Sequence, residues 1–447
     1  MEAPTRRSEG NRAIASDTRP STGRPVYIVD GARTPFLKAR GKPGPFTPVD
    51  LAVACGRPLL LRQPFGAEAL DEVIMGCVNP IADEVNPGRV AGLRLGIDES
   101  VPGWTVQRNC GSGMQSIDVG FRYIGQGLAD LILAGGTEAL SYTPLLFNRG
   151  AVEWYSRLML ARGLLSRLKA MAGFRPGFLT PVIGLERGLT DPVVELNMGQ
   201  TAEVLAFLFA VSRREADQYA VESQTRLARA QTDGALAEVE PIFGRDGTLY
   251  DHDDGVRPDS SVESLAKLHP AFERPFGKVT AGNSSQITDG ACWVILASEK
   301  AVEEHGLKPL ARIVDSRWAA LDPRIMGLGP TLASTPLLTD HGLTLDDIDA
   351  WEINEAFAAQ LLACLKAWAD ADYCRTVLGL DGALGTVDRA RLNVDGGAIG
   401  LGHPVGTTGA RIVLHLIHVL RRLKGRHGIA TECIGGGQGG AMLVEAL

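Results

Sequence analysis

Cys110 lies in Asn109-Cys110-Gly111-Ser112-Gly113, a glycine-rich turn that opens an amphipathic stretch running through Tyr123. A thiol at the start of a helix meets unpaired N–H groups and the positive end of the helix dipole, and both favour the thiolate. Cys110 is therefore a candidate nucleophile; the alternative is an inert buried cysteine. His403, in GGAIGLGHPVG, stands where closely spaced glycines let backbone approach a ligand and Pro404 can open a second helix. It is a candidate general base, or a histidine capping a turn. Cys433 precedes Gly435-Gly436-Gly437 at the end of an expected strand, where a thiol can face a cleft and the following N–H groups can bind an oxyanion. Packing does not need three adjacent residues without side chains, which counts against a plain core cysteine. Asn354 and Glu355 end another strand, with Asn354 suited to orient a water or an oxyanion and Glu355 equally suited to a supporting place. Nucleophile, base, second thiol and anion donors together describe covalent catalysis with proton transfer.

Something must bring these distant segments together. From Val26 the chain reads as short apolar runs ended by glycine or polar turns and separated by helical stretches, the pattern of an α/β protein. Strands are expected at 26–31, 72–78, 131–136, 293–297, 311–316, 350–354, 430–437 and 440–445. An internal repeat is visible among them. VYIVDG, EVIMGCVNP, NCGSGMQSIDVGFRYI and LILAGGTEAL are followed in the second half by ARIVDS, AWEINEAF, GHPVGTTGARIVLHLI and ATECIGGG, in the same order. In both halves a glycine-rich turn with a reactive residue feeds an amphipathic helix. Pseudo-twofold symmetry would set Cys110 and His403 face to face.

The chain has 447 residues, 45% of them hydrophobic and 22% charged, enough for two or three domains with real cores and far from a disordered composition. A formal net charge of −7 provides no global field for nucleic acid or an anionic membrane, so an anionic partner must be met locally. The longest apolar stretch of note, Val204 to Val211, is too short to span a bilayer, and the seven scattered cysteines never fall in a C-x-x-C pair. No transmembrane segment, disulfide framework or metal site is expected. Residues 1–24 are polar with mixed charges and read as a disordered tail, not a secretory signal; an Arg-containing transit peptide is the rival reading, against which Glu2, Glu9 and Asp17 count. Between about 141 and 276 an insertion reads as a separate cap. Within it Trp154, Leu158, Ala161, Leu165 and Leu168 recur at helical spacing beside Arg157, Arg162, Arg167 and Lys169, either covering the body or docking to a partner or membrane surface.

NCGSG, NEAF, GGAIGLGHPVG and CIGGGQGG resemble, in type, order and separation, the active-site motifs of the thiolase family. The resemblance covers Val26 to Leu447 and extends to GARTPF, MGQTAE, LAKLHPAF and VTAGNSSQITDGA. It implies a duplicated five-layer α/β/α/β/α fold with an inserted loop domain: a first half over 25–304, with the insertion at about 141–276, and a second over 305–447. It implies an acyltransferase in which Cys110 takes the acyl group from a CoA thioester, His403 activates Cys110, and Cys433 moves the α-proton of acetyl-CoA. His403 with Asn354, through a water, would form one oxyanion hole, and the N–H groups of Cys110 and Gly435 another. Met198, Arg257, Phe272, Ser285 and Phe357 match positions that hold the thioester, the pantetheine arm and the nucleotide of CoA. Arg257 could equally be a solvated loop charge, and Phe272 and Phe357 core residues. CoA and acyl-CoA are substrates, with no permanently bound cofactor.

The resemblance also implies a cytoplasmic homodimer or homotetramer acting in fatty-acid β-oxidation or acetoacetyl-CoA metabolism. Two departures concern chain length. Asn197 stands where many short-chain thiolases have histidine, pointing away from acetoacetyl-CoA, and Gln286 replaces a common glycine. The insertion at 150–188 resembles one in the thiolase subunit of fatty-acid oxidation complexes, favouring longer chains and a β-oxidation partner enzyme, whereas NEAF in place of that subgroup's HEAF points the other way. A β-ketoacyl or hydroxymethylglutaryl-CoA synthase is the first rival. It makes its carbanion without a proton-abstracting thiol, so Cys433 discriminates against it. A non-catalytic thiolase-like lipid carrier is the second, and predicts loss of one of the four reactive positions, all of which are present.

Overall fold

A computed structural model describes residues 23–447. The first copy runs through β1 (Val26–Arg33), α1 (Pro48–Leu61), β2 (Glu72–Gly76), α2 (Pro87–Leu95), β3 (Gly103–Val106), α3 (Ser112–Gly125) and β4 (Leu131–Ala139). Helices α4 (Arg149–Leu160), α5 (Leu164–Ala172), α6 (Met198–Leu208) and α7 (Arg213–Thr232) follow before β5 (Thr288–Ser298) completes it. The second copy runs through β6 (Ala311–Ala320), α8 (Gly329–Asp340), β7 (Ala350–Ile353), α9 (Ala358–Ala369), α10 (Val405–Leu423), β8 (His427–Ile434) and β9 (Gln438–Ala446).

Strand order is the firmest sign of duplication. It is β3-β2-β4-β5-β1 in the first copy and β7-β8-β9-β6 in the second, so β2, β4, β5 and β1 correspond to β7, β8, β9 and β6. The senses agree as well: β2–β4 and β7–β8 are parallel, and the next two pairs of each copy antiparallel. Even a bulge is repeated. The ladder slips between Ile28 and Asp30 in β1 and between Ile313 and Asp315 in β6, and each aspartate accepts the N–H of the residue after it at 2.8 Å. The sheets join through a short antiparallel pairing of Tyr27 and Ile28 with Arg312 and Ala311. β3, whose place in the second copy is held only by an isolated parallel bridge between Trp351 and Leu392, is a four-residue strand that its sequence does not announce, because a run this short after Pro102 shows too little alternation.

Between the two sheets lie α3 and α10. α3 packs on β2, β4 and β5, while α10 lies on β7 and β8 and reaches across to β4 and β5. α1 and α2 cover the first sheet from outside, and α8 the second. The central helices nearly touch: a Cβ on Gly113 would come within 2.7 Å of the Ala410 nitrogen, and one on Gly409 within 2.4 Å of the Met114 nitrogen. Glycine at this crossing is a packing requirement. It brings the starts of the two helices, and so Cys110 and His403, to the same end of the molecule.

The insertion is not the single separate cap expected from its composition. Ala202, Ala206, Ala216, Tyr219, Leu265 and Val279 belong to one apolar cluster with Leu337, Trp351 and Leu361 of the second copy, so the later part is core. Only the part around 145–188 stands off. Gly163 breaks it into two helices, with φ +86° at the turn between α4 and α5. Buried charge fastens the later part to both copies. The Arg33 guanidinium grips Asp253 at 2.7 and 2.9 Å and lies 3.4 Å from Glu238, which bonds His415 of α10 at 2.9 Å. Asp253→Ala is expected to destabilise the fold by about 3–5 kcal/mol, because it strands a buried guanidinium. A lowered denaturant midpoint with unchanged slope checks this.

The expected tail, 1–24, lies outside the described residues except at its end. There Arg24 is part of the folded body: it donates to the carbonyls of Ala129 at 2.9 Å and Ile124 at 3.1 Å and pairs with Asp130. Among the described residues no helix is long and apolar enough to cross a membrane.

Candidate active site

Two loops from opposite copies meet here. Asn109 takes a left-handed backbone, φ 45°, which asparagine tolerates better than other non-glycine residues, and donates its Nδ2 to the Gly435 carbonyl at 2.8 Å. The turn is pinned from the other side by the Ser112 hydroxyl, which bonds the Asn109 carbonyl at 2.7 Å and accepts the Arg108 N–H at 2.8 Å. The triglycine has its own reason. Gly436 and Gly437 have φ of 89° and 77°, and a Cβ on Gly437 would lie 2.2 Å from the Leu321 carbonyl oxygen.

That geometry sets the Gly435 backbone close to Cys110. Burial pushes the Cys110 thiol up to about 11, only partly opposed by the Gly435 backbone, and the nearby Glu432 and Glu138 carboxyl groups add to the rise. Cys110 is half-buried by its surface exposure, and desolvation of its sulfur outweighs the contribution of the helix start, so that the thiol and not the thiolate is favoured at rest. Cys433, buried at the end of β8, is pushed well above the ordinary thiol value by burial first and then by the Cys110 sulfur beside it. The two thiols are neighbours.

His403 sits just before α10. Its Nδ1 lies 2.7 Å from the Thr408 hydroxyl, which donates to the Pro404 carbonyl at 3.2 Å. With that proton used, Nδ1 carries the ring hydrogen and Nε2 presents its lone pair, 3.5 Å from the Asn354 amide. Burial, and secondarily the charge of Arg411, lowers His403 to about 3, so the imidazole is neutral at physiological pH. Asn354 is fully buried, holds the Thr431 carbonyl through its N–H at 2.9 Å, and leaves its Oδ1 without a protein partner. Glu355 beside it is structural. Its carboxylate takes bonds from Tyr219, Ser223, Asn393 and the Ile399 N–H, tying α7 to the glycine-rich loop.

Of the expected substrate-binding residues, Met198, Phe272 and Phe357 pack in one apolar cluster with Cys433. The Met198 sulfur is 3.3 Å from where a Cβ on Gly435 would stand. Phe272 fills the space beside Gly199 and meets Phe357 edge-on, ring centroids 6.1 Å apart. Ser285 lies on the same strip, its N–H on the Ala356 carbonyl at 3.0 Å, and its neighbour Ser284 pairs with Phe357. Arg257 is exposed, with its backbone held by Gln224 at 2.8 Å. It does not act alone: its charge and that of Arg40 reach Lys38, whose ammonium is lowered by burial first and then by these two. The sequence offered no signal for this cation group, since Lys38 and Arg257 are brought together only by the fold.

Two further residues escaped sequence reasoning. Glu138, at the end of β4, accepts the N–H groups of Val78, Asn79 and Gly406 at 2.9–3.0 Å, and so fixes the start of α10 against the first copy; burial raises it to about 7. Gln286, noted only as a replacement for glycine, donates its Nε2 to the Gly255 and Gly400 carbonyls at 2.8 and 2.9 Å, and its own carbonyl accepts the His403 N–H at 2.9 Å. It locks the His403 loop to the segment that carries Arg257. Asn197 is occupied in a different way, as the N-cap of α6, accepting the Gly199 N–H at 2.9 Å.

Since Cys110 rests as a thiol, its reaction with iodoacetamide in the free protein should rise about tenfold per pH unit from pH 7 to 9, following the thiolate fraction. A plateau reached by pH 7, read by mass spectrometry at Cys110, would contradict the burial argument.

Residues 26–300 match the family model for the thiolase N-terminal domain and residues 307–446 that for the thiolase C-terminal domain. Beta-ketoadipyl-CoA thiolase of Pseudomonas aeruginosa is 41% identical over 94% of this chain and 99% of its own length. The beta subunit of the human mitochondrial trifunctional enzyme is 37% identical over 97% of this chain and 92% of its own. Among solved structures, human mitochondrial 3-ketoacyl-CoA thiolase in complex with CoA superposes with a TM-score of 0.81 at 38% identity, covering 95% of this chain and 98% of that one. Bacillus anthracis acetyl-CoA acetyltransferase does so with a TM-score of 0.81 at 37% identity, over 95% and 99%. Two copies of one α/β unit, a thiol from each at their junction, and full-length likeness to these enzymes lead to one conclusion: the chain belongs to the thiolase family.

Proposed function

We propose that this protein is a thiolase, an acyltransferase that interconverts a 3-ketoacyl-CoA plus CoA with a shortened acyl-CoA plus acetyl-CoA through an acyl-cysteine. The observation that carries this reading is the junction of the two loops, where Asn109, beside Cys110, donates to the carbonyl of Gly435, two residues past Cys433. In the cleaving direction His403 Nε2 takes the Cys110 proton as sulfur attacks the 3-keto carbon, and the N–H groups of Cys110 and Gly435 stabilise the resulting oxyanion. The bond between C2 and C3 then breaks, and its electron pair stays with the acetyl-CoA fragment as an enolate. Cys433 protonates that carbon. His403, now bearing a proton on Nε2, and Asn354, through a water, are the donors for the enolate oxygen. Free CoA then gives its thiol proton to the Cys433 thiolate and attacks the acyl group, and the Cys110 sulfur leaves with the proton that His403 Nε2 had held, which returns all three groups to their starting state.

Both thiols are pushed up and His403 is down, so all three are neutral between turnovers. Proton movement is then confined to the moment when an oxyanion is present to be stabilised. Lys38 and Arg257, beside an Arg40 already paired with Asp254, supply the local positive charge that CoA phosphates require of an acidic protein, and Met198, Phe272, Ser285 and Phe357 line the thioester and pantetheine path. CoA and its thioesters are substrates, with no permanently held cofactor. The division into copies over 25–304 and 305–447, action in the cytoplasm and assembly as a homodimer or homotetramer belong to the same reading, supported by the full-length likeness to thiolases.

Acetyl-CoA release from 3-ketoacyl-CoAs of C4 to C16, with 3-oxoadipyl-CoA included because of the Pseudomonas relative, tests the proposal and ranks chain lengths. Turnover is expected on at least one of them; none on any, with CoA saturating, would refute it.

A further inference from the structure

The part of the insertion that stands off from the body has an unusual surface. Between 145 and 188, about a tenth of the chain, lie nearly half of the exposed large hydrophobic side chains among the described residues. A surface helix ordinarily turns its apolar stripe inward. Here α4 has two stripes. Ala151, Trp154 and Leu158 hold the helical hairpin together, with Trp154 Nε1 donating to the Ala170 carbonyl at 2.8 Å and its ring 5.3 Å from Phe174. On the other side Val152, Tyr155, Met159 and Leu160, again at helical spacing, face outward with Phe147, whose ring lies 5.3 Å from Tyr155. α5 has no buried residue and exposes Leu164, Leu165, Leu168 and Met171.

Charge says what this surface suits. Seven arginines and lysines against two glutamates make the segment strongly positive in a chain of net −7. Among the described residues only Arg149 of the seven pairs with a carboxylate, Glu153 at 2.8 Å. Arg157, Arg167 and Lys169 stand exposed along the same two helices as the apolar side chains, and Arg162 in the turn between them.

We propose that this hairpin is a peripheral docking surface for an anionic lipid bilayer. Outward leucine and methionine side chains enter the boundary between headgroups and acyl chains, while the arginines and lysine meet lipid phosphates. A second copy of this chain fits less well, because like charge would face like charge across the contact. The surface takes no part in the chemistry assigned to Cys110 and Cys433, so the proposal stands or falls separately from that reading.

The test is sedimentation of the full-length protein with phosphatidylcholine vesicles, with and without phosphatidylglycerol. Binding is expected only with phosphatidylglycerol and is expected to weaken as salt rises. Arg157→Glu/Arg162→Glu/Arg167→Glu should lower partitioning by about two orders of magnitude or more. Leu164→Glu/Leu165→Glu should abolish it. Both variants should keep the wild-type circular dichroism spectrum and thermal midpoint, which reports that they are folded. Absence of binding to anionic vesicles, equal binding to both vesicle types, or unchanged binding by the arginine variant would overturn the proposal. So would failure to bind vesicles combined with concentration-dependent self-association, or with binding of a purified β-oxidation hydratase-dehydrogenase, that Leu164→Glu/Leu165→Glu removes. The first would assign the face to a second copy and the second to the partner enzyme that the resemblance suggests.

Discussion

Cys110→Ala is expected to abolish the acyl-enzyme and lower thiolysis by roughly 10⁴-fold or more, with the fold intact. The size of the effect follows from the lack of a substitute. Cys433 sits at a strand end just before the triglycine, and the Gly435 backbone that would steady a tetrahedral oxyanion is tied by Asn109 to the turn that carries position 110. Intact mass after incubation with an acyl-CoA reads the outcome directly: one added acyl group per wild-type chain and none on the variant. An acyl group still found on the variant, mapped to Cys433, would exchange the roles of the two thiols.

Cys433→Ala should separate the half-reactions. Its Cys110, held by Asn109 and Gly435, still acquires an acetyl group from acetyl-CoA, while exchange of the α-protons and formation of 3-ketoacyl-CoA fall by about 10²- to 10⁴-fold, the usual worth of a positioned acid-base group. Deuterium uptake into acetyl-CoA is the decisive measurement. Exchange at the wild-type rate would assign proton transfer elsewhere, and Glu138, raised to about 7 and electrostatically felt by Cys110, would be the next group to replace.

Much of this arrangement was legible in the residues. Strands around VYIVDG, LILAGG, ARIVDS and ATECIGGG stand where hydrophobic patterning put them, and the repeated order of motifs foreshadowed matching sheets, down to the shared bulge at Ile-Val-Asp. Local signals carry such information: an apolar run, a glycine that permits a left-handed turn, a proline opening a helix. Contacts across hundreds of residues do not announce themselves in this way. Nothing near Gln286 says that its amide bridges Gly255 and Gly400, and nothing near Lys38 says that Arg257 is close. The insertion misled for a related reason. Its composition is uniform enough to read as one cap, yet residues after Met198 are drawn into the second copy's core while those before Gly188 stay out. For Cys110 the sequence showed a helix start but not the depth of cover over the sulfur, and depth decides its protonation.

The crossing at Gly113 and Gly409 has an implication for ancestry. With one sulfur contributed from each side of that contact, neither repeat alone holds a complete set of reacting groups. A forebear with a single repeat would have needed to self-associate, with two identical clefts facing each other. Fusion of the two genes would then have freed each cleft to specialise, one towards cargo and the other towards protons, while the glycines that let the paired helices touch could no longer change on either side.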